Sequence, residues 1–205
     1  MKRPIIQLIS NIFHPLFSMP WAAVMLILFS PLRIILPLEK QLSFVSAVLL
    51  FSFVVPALAI LLLSKAGIVK NGVALRERAD RMVPLFLQFI CCTAQAILLG
   101  VLGYPSWATF CFVGGSYLTF IFFVVTFWWK ISGHAAGNAA LAVTALILYY
   151  RFPNIMPLWV PIATMLLAGA ISSIRVYLHR HTLAQVAVGA LAGAVCTFVS
   201  YLIIS

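Results

Sequence analysis

Three histidines sit at polar junctions between long apolar runs, each beside residues suited to holding an anion. Ser132-Gly133-His134 precedes one run. Ser132 is a favoured N-cap for the helix that should follow. A helix start offers unpaired N–H groups and partial positive charge, which suits a phosphate, and Gly133 allows close backbone approach. Arg175 closes a later run, His181 opens the next, and Gln185 follows four residues on, on the same helical face. An imidazole whose second N–H has an acceptor is oriented for base or nucleophile work. His179 and Arg180, between them, fit a polar cluster at a helix end better than a catalytic role. A third segment supplies cations: Arg76, Arg78 and Arg81 lie just before Pro84, which can open a helix in its first turn. Guanidinium matches phosphate bidentately, and Glu77 and Asp80 can pair with some of these arginines. Taken singly, the segments also read as a helix cap, a snorkelling cluster and a solvated basic loop.

The elements that must position these residues are apolar. The chain is 64% hydrophobic and 8% charged, against about 25% charged for a soluble domain. So little charge cannot cover a water-soluble globule. The solvent for most of the chain is lipid, and a net charge of +10 then points to head groups or phosphate rather than to nucleic acid. A span needs about 20 apolar residues. Runs at Phe17–Leu38, Leu42–Ser64, Pro84–Tyr104, Trp107–Trp129, His134–Tyr150, Met156–Ile174 and Thr182–Ile204 predict an all-α transmembrane bundle of six or seven spans, the fifth being short. Continuous apolarity favours helices over barrel strands. Pro4–Leu16 reads as an interfacial segment before the first span. No cleavable signal peptide is expected, because the run from Phe17 is too long and continues into further spans. Gly189 and Gly193 form a GxxxG, which predicts close helix packing. Cys91, Cys92, Cys111 and Cys196 lie in apolar runs and read as packing residues. One membrane domain, 1–205, accounts for the chain. The junctions 65–84, 130–134 and 172–185 are each separated by two spans, so all three share one membrane face. Basic residues collect there, with Arg33, Lys40 and Arg151 on the other side.

Together the junctions resemble the type 2 phosphatidic acid phosphatase (PAP2) family, in its integral-membrane lipid phosphatase branch. That family's pattern is Lys-x6-Arg-Pro, then Pro-Ser-Gly-His, then Ser-Arg-x5-His-x3-Asp. This chain matches Ser132-Gly133-His134 and the spacing from Arg175 to His181. It departs at Ile131 in place of the proline, at Ile174 between Ser173 and Arg175, and at Pro84, two residues late after Arg81. Ala74 stands where the upstream lysine would be, leaving Lys70 or Arg76 as substitutes, and Gln185 stands in place of the aspartate. The resemblance implies that His181 attacks phosphorus to form a phosphohistidine, and that His134 protonates the leaving alkoxide and then activates water. It implies that Arg81, Arg175, Ser132, Gly133 and Arg76 or Lys70 hold the phosphoryl oxygens, with Gln185 orienting His181.

The expected reaction uses no cofactor and no metal. Glu77 and Asp80 are the only carboxylates on the site face, too few for a magnesium cage. The expected function is hydrolysis of a lipid phosphomonoester or diphosphate, the lipid itself left open. The partners are that substrate and the surrounding membrane lipids, not nucleic acid. Two other readings stand beside it: a lipid phosphotransferase, and a non-catalytic lipid-phosphate binding or transport protein. The expected setting is a bacterial inner membrane, with the side of the site left open.

Overall fold

The computed structural model describes residues 8, 10–67 and 79–204. It is all-helical, 84% helix, with no strand among those residues. Helix α1 spans Pro15–Phe29, α2 Leu32–Ile35, α3 Leu38–Lys65, α4 Met82–Val101, α5 Ser106–Thr126, α6 Gly133–Arg151, α7 Trp159–Tyr177 and α8 Leu183–Ile204.

Local chemistry sets the helix ends. His14 caps α1, its Nδ1 accepting the Leu16 N–H at 3.3 Å, and Pro15 takes a first-turn place where its missing N–H costs nothing. Ser132 caps α6, its Oγ accepting the Ala135 N–H at 3.4 Å. Helix α3 passes Pro56 by a π-turn at Leu50–Val54. Proline donates no hydrogen bond and its ring crowds the carbonyl four residues back, that of Ser52; the wider turn makes room.

The bundle is turned inside out relative to a soluble protein. Leu166, Leu191 and Ile203 are each more than 60% exposed, whereas Gln95, Asn138, Thr144 and Ser200 are buried. Each of these polar residues except Gln95 hydrogen-bonds a backbone carbonyl, and Gln95 accepts from the Ser52 hydroxyl. The four cysteines are unpaired and buried, as packing residues should be.

Among the described residues, five helices are long and apolar enough to cross a membrane: α3, α4, α5, α7 and α8. Two expected spans differ from this. The run Phe17–Leu38 is not one helix, since α1 stops at Phe29 and the chain turns extended at Ser30. The run His134–Tyr150 is continuous as α6, but Gly, Asn and His make it less apolar than the five. The reason is its place. Helix α6 is the hub, flanked by α1, α7 and α8, with most of its inner half buried. A helix shielded from lipid by its neighbours needs small residues for packing, not a large apolar surface.

Gly189 and Gly193 make that packing close. A Cβ on Gly189 would lie 2.6 Å from the Ser132 carbonyl oxygen, and one on Gly193 would overlap the Ala136 carbonyl. Backbone cannot swing aside as a flexible side chain can. Gly193→Ala is therefore expected to push α8 off α6 and to destabilise the protein by about 1–3 kcal/mol, the usual cost of overpacking. Thermal unfolding in detergent measures it, and an unchanged midpoint would show that the two helices do not approach this closely.

Candidate functional site

The tight α6–α8 seam brings the two histidine segments together. The Ser132 N–H donates to the Gln185 carbonyl at 3.1 Å, a bond between the two segments themselves. His181 precedes α8 and is buried, 7% exposed. Its Nδ1 lies 3.0 Å from Gln185 Oε1.

The orientation of that amide is fixed by a second set of bonds. Gln185 Oε1 accepts the Thr182 N–H at 3.3 Å, and the Gln185 N–H donates to Thr182 Oγ1 at 3.3 Å. This is a capping box at the start of α8. The same oxygen faces both Thr182 and His181, so the His181 Nδ1 is the donor and its Nε2 keeps the lone pair. Thr182-Leu-Ala-Gln185 carries the capping-box spacing, a sequence signal beside the His181–Gln185 spacing that marks the start of α8.

Arg175 reaches the same point from the end of α7. Its carbonyl accepts the Arg180 and His181 N–H groups at 3.1 and 3.3 Å. This closes the helix with His179 at φ 51°, the left-handed position that usually takes glycine. His179 is thus a turn residue, and it also lines the cavity beside His181. The Arg175 Nη1 donates to Ser10 Oγ at 3.2 Å, while its buried Nε has no hydrogen-bond partner among the described residues. A buried donor without an acceptor costs stability unless a ligand supplies one.

A cavity of about 800 Å³ joins these groups. Arg81, Lys130, Gly133, His134, Arg175 and His181 line its polar end. Arg81 precedes α4, in a 3-10 turn at Ala79–Arg81. Burial lowers the affinity of its guanidinium for a proton, and burial followed by Arg81, Arg175 and Arg180 does the same to the Lys130 ammonium. Cations so crowded favour an anionic guest. His181 is held down to about 4 from its ordinary 6.5, first by burial, with the Gln185 bond working the other way and Arg175, Lys130 and Arg81 adding to the fall. At neutral pH it is an uncharged imidazole with a free lone pair. The far end of the cavity is largely apolar, reaching Ala22, Cys111, Leu141 and Thr144. Gly133 to Thr144 along α6 is a depth of about 16 Å at roughly 1.5 Å per residue.

Residues 110–205 match the model of the PAP2 superfamily. The match covers just under half of the chain. No curated protein and no solved structure matches the chain. The PAP2 stretch holds His134, Arg175, His181 and Gln185, and it supports a phosphatase-type enzyme embedded in a membrane. Arg81 lies before it and nevertheless lines the same cavity. Lys70 and Arg76 lie outside the described residues. Ser132 is fully buried behind the cavity wall, its N–H and Oγ committed to Gln185 and Ala135. One wall of the cavity comes from the N-terminal segment. Ser10 and His14, expected in an interfacial segment, line the cavity beside Arg175 and His134. A histidine followed by proline is a usable helix-start signal, and it marks His14.

Proposed function

We propose that the protein hydrolyses a lipid phosphomonoester or diphosphate through a phosphohistidine. The observation that carries this reading is the His181–Gln185 bond at 3.0 Å, beside a cavity that His181, Arg175, Arg81 and Lys130 line together with many apolar residues. The His181 Nε2 attacks phosphorus, the P–O bond to the leaving group breaks, and His134 gives that oxygen a proton. His134 then takes a proton from water. The water oxygen attacks phosphorus, the P–N bond breaks, and inorganic phosphate leaves. Phosphoryl transfer depends mainly on positioning and cations. Arg175 and Arg81 supply the cations, with Lys70 or Arg76 completing the set. Gly133 and His134, in the first turn of α6, have N–H groups with no intrahelical acceptor to offer the phosphoryl oxygens. Ser132 shapes that turn rather than touching substrate. The apolar depth suits a lipid chain.

We read the chain as one membrane domain in a bacterial inner membrane. The six or seven crossings expected are the five apolar helices together with α6 and, as the seventh, the α1–α2 segment. Supporting the last of these, α1 begins at His14 beside the site and ends with Phe29 against Trp159, at the start of α7 and so at the other end of the bundle.

The test is a panel of lipid phosphates in detergent with chelator. Free phosphate released from a long-chain lipid is expected. Transfer to a lipid alcohol without free phosphate would make the protein a phosphotransferase. Saturable binding with neither product would make it a carrier.

Gln185 is the second test of this mechanism. Gln185→Ala removes both the acceptor for Nδ1 and half of the capping box. A wrong tautomer costs about 10⁴-fold where the orienting group of a catalytic histidine is replaced in serine proteases. The Arg175 carbonyl still holds the His181 backbone here, so a smaller loss of about 10²-fold in kcat is expected. Gln185→Glu keeps the capping box and adds a charge that stabilises the imidazolium, and it should match or exceed the wild type. Turnover unchanged in Gln185→Ala would remove Gln185 from the mechanism.

A further inference from the structure

We propose that the segment Ser10–His14 forms part of the catalytic site and that His14 is a positioning residue for His134, an inference that rests on the role of His134 proposed above. Its rings carry the argument first. The His14 and His134 centroids lie 5.1 Å apart with planes at 81°, an edge-to-face pair. His14 is fixed on its own side, because its Nδ1 accepts the Leu16 N–H, which leaves the ring proton on Nε2. The same segment holds the site at three more points. The Ser10 backbone lies close enough to the His134 ring to act on it electrostatically. Ser10 Oγ accepts from Arg175 at 3.2 Å. The Phe13 carbonyl accepts from Asn138, one turn beyond His134 on α6, at 3.3 Å. His134 is thereby flanked by the Ser10 backbone and the His14 ring, and a ring nitrogen remains to meet the leaving group or water.

A general acid must place that nitrogen within hydrogen-bond reach of the oxygen it protonates, and misplacement by 1 Å costs about 10²-fold. His14 does this by the contact of its ring with that of His134. The charged and titratable groups acting on this pair are Arg175 at the end of α7 and His181 in the turn before α8. Burial and Arg175 hold His14 down to about 4, so at neutral pH it is uncharged.

The experiment compares His14→Asn with His14→Phe in the full chain, in detergent. Asn keeps a cap for α1 and loses the ring; Phe keeps a ring and loses the cap. Asn is expected to lower kcat about 10²-fold with KM nearly unchanged, and to shift the kcat–pH profile. Phe, although less stable to heat, should recover most of the loss. The ¹⁵N signals of His134, assigned with His134→Gln, should show one tautomer in the wild type and a mixture in His14→Asn. Wild-type kcat in His14→Asn, activity that simply tracks thermal stability across the two variants, or an unchanged His134 tautomer would each overturn the proposal. A wild-type chain that turns over no lipid phosphate would instead defeat the phosphatase reading, and the ¹⁵N comparison would still decide whether His14 orients His134.

Discussion

His181→Ala is expected to abolish turnover, by at least about 10⁴-fold, while the detergent-extracted protein stays folded. Loss of a nucleophile removes the covalent route altogether, and the residual rate comes only from substrate binding and cations. Stability should not fall with activity, because burying a histidine whose affinity for protons is depressed has its own cost. His181 is held down to about 4 from 6.5. The unfolded chain therefore binds a proton that the folded chain refuses, and the stability present above pH 6.5 drains away as pH falls through that value towards 4. His181→Ala should lose less stability over that window than the wild type. The same depression sets the acid limb of wild-type kcat/KM near pH 4 rather than 6.5, after correction for the substrate's own ionisation. Measurable turnover by His181→Ala, or an acid limb at 6.5, would count against His181 as the neutral nucleophile.

Arg175→Lys is expected to lower kcat by about 10²–10³-fold, the usual cost of removing one donor to a developing charge. Lysine keeps the charge, so a purely electrostatic role would leave the rate nearly intact. The structure argues for shape instead. The guanidinium donates from Nη1 to Ser10 and its buried Nε has no partner among the described residues, so one planar group ties the N-terminal segment to the site and keeps further N–H groups of its fork for a phosphoryl oxygen. An ammonium has no second arm in a fixed fork. Lysine should thus fail twice, by losing the donor and by loosening Ser10. Comparison of kcat and KM for Arg175→Lys and Ser10→Ala separates the two parts. The Ser10 variant should show only a minor share of the loss, and Arg175→Lys with wild-type kcat would reduce Arg175 to a diffuse charge.

Much of this was legible in the chain itself. Hydropathy alone requires helices in lipid, because apolar runs of span length leave the backbone no solvent partner and must satisfy it internally. The Ser132 cap, the His181–Gln185 spacing and the Gly189–Gly193 contact follow from helix geometry, which repeats within a few residues and so is written locally. Less was legible where a neighbour decides. Helix α6 reads as a short, weak span because composition cannot reveal that other helices shield it, and the run from Phe17 hides a break at Ser30–Pro31. Arg81 meets His181 across the bundle, and Ser10 and His14 meet Arg175 and His134 from more than a hundred residues away. Contacts of that kind leave no periodicity in the sequence. They depend on how far α8 sinks against α6 and where α1 lies beside both, and only packing of the whole bundle sets those distances.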